Sequence, residues 1–94
     1  MKLQKQQQHS PDTEIIVEVK NCAKKQARHL GLIRVLERKI KLFKQNPKLP
    51  GLHVEKLEPR PLGHWSFRIN IQYRARFIKE SNNKIVIFRV EDYH

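Results

Sequence analysis

From residue 63 to residue 77 the chain alternates apolar and polar positions with period two, GHWSFRINIQYRARF. Such alternation puts the two sets on opposite faces of a sheet. Trp65, Phe67, Ile69 and Ile71 are predicted to point into a core, and Ser66, Arg68, Asn70 and Gln72 to point away from it. In the next strand Arg74 and Arg76 alternate with Tyr73, Ala75 and Phe77. Arginines carried on rigid strands suggest a fixed anion site, because their forked donors are held in place.

Upstream the period changes. Residues 13–19 (TEIIVEV) are β-branched and partly alternating, which predicts a short strand. Asn21 has the chemistry of an N-cap, Ala23, Ala27 and Leu30 share one helical face, and Gly31 is placed to end that helix in a left-handed conformation. Ile33, Leu36, Ile40 and Phe43 then recur at helical spacing among Arg34, Arg38, Lys41 and Lys44, an amphipathic helix that stops near Asn46-Pro47. Prolines 47, 50, 59 and 61 forbid a long element between 48 and 61, although residues 53–57 fit a brief extended edge segment. Strands over 65–71, 73–79 and 85–90 follow, the last two separated by Glu80-Ser81-Asn82-Asn83. The predicted fold is α+β in the order β-α-α-β-β-β-β: an antiparallel sheet with an N-terminal helical hairpin packed on one face. Residues 1–12 are polar and Gln-rich and read as a flexible leader, leaving residues 13–94 as one domain.

Composition adds the class of partner. Lys+Arg 20 against Asp+Glu 9 gives a formal net charge of +11, which favours polyanions such as nucleic acid, anionic lipid or an acidic protein. No apolar stretch is long enough to cross a bilayer, and the first residues lack the apolar run of a signal peptide. The single Cys22 forms no internal disulfide, which fits a reducing, cytoplasmic setting. Five histidines occur with no i,i+4 pair and no Cys-X-X-Cys, so no metal site is expected and no cofactor is implied.

Arg68, Arg74 and Arg76, with Lys56 and Arg60 upstream, form the basic set. They suit either an ordinary solvated sheet face or a surface that holds a phosphate as it gains charge. Glu55 sits among cations in His-Val-Glu-Lys-Leu and is either a surface ion pair or a general base toward a ribose 2′-OH. His94 beside Tyr93 is either an exposed terminus or a proton donor to a leaving 5′-oxygen. Tyr73 and Tyr93 are the aromatic residues better placed for base stacking, since Trp65, Phe67 and Phe77 alternate away from the arginines.

Taken together, Asn46-Pro47 with Leu49-Pro50-Gly51-Leu52, Glu55-Lys56-Leu57, Trp65-Ser66-Phe67-Arg68-Ile69-Asn70 with Tyr73-Arg74, and a last apolar strand running into Tyr93-His94 resemble the RelE/ParE superfamily of toxins from type II toxin–antitoxin pairs. The resemblance covers roughly residues 13–94 and is nearest to the YoeB-like mRNA interferases. It implies a microbial RNase-like fold, metal-independent cleavage of messenger RNA in the ribosomal decoding site, and a cognate antitoxin as partner. By position, Glu55 matches the general base of that group, Arg68 and Arg74 its phosphate-binding arginines, and His94 or Tyr93 its carboxy-terminal acid; the group ends His then Tyr, whereas this chain ends Tyr93-His94. Two other functions compatible with the sequence are a ParE-like protein that poisons gyrase without nuclease activity and a non-catalytic nucleic-acid-binding module.

Overall fold

The computed structural model describes residues 14–57 and 63–92. The predicted leader, Arg60, Tyr93 and His94 lie outside the described residues. Five strands, β1 (Ile16–Val19), β2 (Glu55–Lys56), β3 (His64–Arg68), β4 (Tyr73–Ser81) and β5 (Lys84–Asp92), form one sheet in the order β1-β5-β4-β3-β2. Helices α1 (Asn21–His29) and α2 (Ile33–Gln45) follow β1, and a short 3-10 turn, Pro50–Leu52, precedes β2. The α+β class and the helical hairpin on one face are as expected.

One strand departs from the antiparallel expectation. β2 through β5 form an antiparallel meander, but β1 pairs with β5 in parallel, with Val17 opposite Ile85 and Val19 opposite Ile87. Three reversals separate β2 from β5, so the two run in opposite directions, and the edge beside β5 receives β1 running the same way. Nothing local to residues 13–19 encodes that neighbour.

The helices begin and end for identifiable reasons. The Lys20 N–H bonds the Ile87 carbonyl at 2.9 Å, so the chain stays extended through Lys20. Lys20 is therefore the N-cap, and Asn21, expected to cap, is the first helical residue. At the other end Gly31 has φ 73°, its N–H reaches the Arg28 carbonyl at 3.0 Å, and the Leu32 N–H reaches the Ala27 carbonyl at 2.7 Å. This is the Schellman arrangement, which needs a residue at ease with positive φ. α2 ends at Asn46, extended at φ −159° and ψ 96°, as the following Pro47 demands.

The core lies between the helices and one face of the sheet. Ala23, Ala27, Leu36, Phe43 and Leu52 pack there against Phe67, Ile69, Ala75, Phe77, Ile85, Ile87 and Val90. The Phe43 ring sits 5.5 Å from Phe77, edge-on, and 5.7 Å from Phe67. Ile71, expected in this core, is 84% exposed. The Asn70 side-chain oxygen accepts from the Gln72 N–H at 2.9 Å and the Tyr73 N–H at 2.8 Å, so the chain turns there and leaves Ile71 at the hairpin tip. A polar side chain has replaced the ladder as partner for those backbone groups. The β4–β5 turn at Asn82 and Asn83 uses no positive φ; the sole non-glycine with positive φ among the described residues is His53.

Candidate active site on the uncovered face of the sheet

In antiparallel pairs directly opposed residues share a face. Glu55 opposes Ser66, Ser66 opposes Arg76, and Arg76 opposes Arg89; in the adjacent row Arg68 opposes Arg74 and Arg74 opposes Glu91. These residues all lie on the face the helices leave uncovered. A bulge makes the assignment at β5 possible: Phe88 is the extra residue between the Arg76–Arg89 and Phe77–Ile87 pairs, so Ile85, Ile87 and Val90 still reach the core.

The rows hold four guanidiniums against two carboxylates. Two like-charged pairs, Arg68–Arg74 and Arg76–Arg89, stand directly opposite each other, an arrangement that works against sheet pairing. Glu91 answers part of this, with one carboxylate oxygen 3.3 Å from Arg76 and 3.5 Å from Arg89. Arg68 is half-buried and makes no hydrogen bond or ion pair among the described residues.

Arg74 differs from its neighbours. It was expected on a solvent face, yet its side chain is only 6% exposed. Its Nε–H donates to Ser66 Oγ at 2.8 Å, and an Nη–H donates to the His53 backbone carbonyl. The same guanidinium lies 3.7 Å from Glu55 Oε1, while the Glu55 side chain remains 48% exposed. At that separation the carboxylate is oriented by charge but keeps lone pairs for another donor. A carboxylate, a buried guanidinium that faces it and a guanidinium opposite with no partner among the described residues can together accept a proton and hold an anion.

The predicted site residues therefore separate. Glu55, Arg68, Arg74 and Arg76 come together on one face. Lys56 and Tyr73 do not join them: Lys56 opposes Trp65, with its ammonium 5.6 Å from the indole, and Tyr73 packs against the core on the helix side. Arg60, Tyr93 and His94 lie outside the described residues. Sequence reasoning gave no role to Ser66, the His53 carbonyl, Arg89 or Glu91. Period-two alternation already placed Ser66 with the arginines, but its hydrogen bond to Arg74 is a cross-strand contact. The His53 carbonyl had no side-chain signal at all.

On the opposite side, Phe43, Leu49, Val54, Trp65 and Phe77 line a cavity of about 490 Å³ edged by Lys48 and Lys79. Lys79 Nζ lies 3.9 Å from the Trp65 ring. The described His, Cys, Asp and Glu residues form no group of three that could hold a metal ion, and no described helix is long and apolar enough to cross a membrane.

The fold is that of the small toxin structures of the YoeB, ParE and RelE type. The chain superposes on a YoeB/ParE toxin from Agrobacterium tumefaciens with TM-score 0.65 at 14% identity, covering 85% of this chain and 100% of that one. It superposes on YoeB in the heterotetrameric YoeB-YefM toxin–antitoxin complex from Staphylococcus aureus with TM-score 0.62 at 22% identity, covering 85% and 97%. The archaeal RelE-RelB complex from Pyrococcus horikoshii OT3 gives TM-score 0.65 at 16% identity over 84% and 94%. No family model matches the sequence. No curated protein matches it either. The likeness expected from the residues thus holds at the level of the fold.

Proposed function

We propose that this protein is the toxin of a toxin–antitoxin pair and acts as an endoribonuclease on messenger RNA held in the ribosome. The observation that carries the reading is the half-exposed Glu55 carboxylate facing the Arg74 guanidinium at 3.7 Å, with Arg68, which has no partner among the described residues, opposite Arg74 on the neighbouring strand. Glu55 removes the proton from a ribose 2′-OH, and that oxygen attacks the adjacent phosphorus. Arg68, with Arg74 behind it, stabilises the charge gathered on the five-coordinate phosphorane. The 5′-oxygen leaves with a proton from His94 or Tyr93, and the upstream fragment keeps a 2′,3′-cyclic phosphate.

A shared fold with toxins crystallised beside YefM and RelB supports an antitoxin as partner. The +11 charge and the cavity edged by lysines suit an acidic, amphipathic antitoxin segment that folds on binding. A gyrase-binding toxin or a nucleic-acid-binding module does not require a carboxylate at this place, although an ion pair with Arg74 would also suit one.

Alignment of the 2′-OH with the leaving oxygen can supply about 7–11 kcal/mol of barrier reduction, and an open sheet face does not provide it alone. Free RNA is therefore expected to be cut slowly and the ribosome-held message rapidly. The test is cleavage of one labelled message, free and in the decoding site, by wild type and by Glu55→Ala. Equal rates on both substrates would remove the ribosome from the reading, and an undiminished Glu55→Ala would remove the base.

A further inference from the structure

A guanidinium taken out of water needs acceptors for its donors. Arg74 finds them in the Ser66 hydroxyl and in the backbone of the His53 turn. Ser66, 1% exposed, offers its Oγ to Nε–H at 2.8 Å, and the His53 carbonyl takes an Nη–H. Neither acceptor is free to move. Ser66 is fixed in β3 between Glu55 on one side and Arg76 on the other.

His53 is fixed by an unusual backbone. At φ 47° and ψ 52° it lies in the left-handed region, and its N–H bonds the Pro50 carbonyl at 3.1 Å, closing the 3-10 turn. A non-glycine residue is seldom found there unless its surroundings hold it. The conformation presents the His53 carbonyl to Arg74 two residues before Glu55 opens β2.

We propose that Ser66 and the His53 carbonyl are positioning groups that fix the plane of the Arg74 guanidinium, so that Arg74 holds the Glu55 carboxylate in place while Arg68 is the arginine that touches the anion. Held along its Nε edge and at one Nη, a planar fork has little rotational freedom left, and the Nη that meets the His53 carbonyl also lies 3.7 Å from Glu55 Oε1. The two arginines, equivalent in the sequence, then do different work. Arg74 orders the base, and Arg68 meets the phosphate. The consequence for rate rests on the endoribonuclease reading; the geometry does not.

The experiment has two arms. In the first, hydrogen exchange at Arg74 Nε is followed by NMR in wild type, Ser66→Ala and Ser66→Thr. Exchange is expected to be slow in wild type, about tenfold or more faster in Ser66→Ala, and restored in Ser66→Thr, which keeps the hydroxyl. In the second, single-turnover cleavage of the ribosome-held message is measured against enzyme concentration. Ser66→Ala is expected to lower the maximal rate by roughly 10- to 100-fold while the half-saturating concentration stays within about threefold, since misplacement of a reacting group acts on the chemical step. Should Ser66→Thr prove too bulky to fold, Arg74→Lys supplies the check. It keeps charge but lacks the fork, and Ser66→Ala is expected to add nothing to its loss.

Unchanged Nε exchange in Ser66→Ala overturns the proposal, as does full-rate cleavage by a folded Ser66→Ala or additive losses in the double variant. If wild type cuts no RNA, the endoribonuclease reading fails and the exchange arm alone decides: faster exchange rescued by Thr supports the positioning role, and unchanged exchange rejects it.

Discussion

On the helix side of β3 and β4, Trp65 opposes Phe77 and Phe67 opposes Ala75; on the other side of the same two strands, Ser66 opposes Arg76 and Arg68 opposes Arg74. The first set fills space, with rings 5.5 to 6.4 Å apart around Phe43 and Phe77. The second set stacks like charge on like charge and relieves it only in part through Glu55 and Glu91. Apolar packing on one face lets the sheet tolerate repulsion on the other. On the proposed function, stability and chemistry are separated by the thickness of one sheet, with Arg74 as the exception that serves both.

Variants of the two faces should therefore fail differently. Glu55→Ala and Arg68→Ala are expected to lower the maximal cleavage rate by roughly 10²- to 10³-fold or more. Their unfolding free energies should stay within about 1 kcal/mol of wild type, since Glu55 is half-exposed and the half-buried Arg68 makes no hydrogen bond or ion pair among the described residues. Denaturant melts beside single-turnover cleavage provide the check, and a large stability loss in either variant would merge the two faces.

Phe43→Ala should do the reverse. It empties the meeting point of Phe67 and Phe77 and is expected to cost about 3–5 kcal/mol in urea unfolding. Protein that remains folded should still cleave. A loss below roughly 1 kcal/mol would show that the core is not centred there.

Arg74→Ala tests the exception. It strips partners from the buried Ser66 hydroxyl and the His53 carbonyl, and a loss of about 1–3 kcal/mol should accompany the loss of cleavage, unlike Arg68→Ala. Equal stability of the two arginine variants would return Arg74 to an ordinary surface role.

A smaller effect is expected at His53. Gly removes the cost of the left-handed conformation, about 1 kcal/mol, whereas a β-branched residue increases it. His53→Gly should melt at or above the wild-type temperature and His53→Val below it.

The smallest effect lies at the sheet edge, away from both faces' centres. Lys84 bonds Glu80 at 2.9 Å and Glu18 at 3.2 Å. The hydrogen bond from Lys84, with the charge of Lys20, holds the exposed Glu18 carboxyl below its ordinary 4.5, and the hydrogen bond to Glu80, then that to Glu18, holds Lys84 above its ordinary 10.5. A lowered carboxyl stabilises the fold above its unfolded value, and that contribution fades as pH falls through the folded one; a raised ammonium stabilises below its unfolded value and fades as pH rises through the folded one. Thermal melts of wild type and Lys84→Gln should differ slightly between pH 5 and pH 10, and converge below pH 4.5 and above pH 10.5.

Much of this was local enough to be read from residues. The period-two run fixed which side chains of β3 and β4 share a face, because alternation is a property of any extended chain. The apolar spacing of Ile33, Leu36, Ile40 and Phe43 defined the buried stripe of α2, and Gly31 marked the end of α1 because a left-handed residue was needed there. Arg68, Arg74 and Arg76 were legible as a set for the same reason, whereas Glu55 stood out only as an acid among cations and by resemblance.

What escaped depended on neighbours distant in sequence. β1 pairs in parallel with β5, a strand far along the chain, and Asn70 turned the chain before Ile71 could enter the core. Above all, the alternation that grouped Arg68 with Arg74 could not distinguish them. Only the approach of the His53 turn and of Ser66 buried one guanidinium and left the other without a partner among the described residues, since burial and hydrogen-bond partners arise from the meeting of three separate segments.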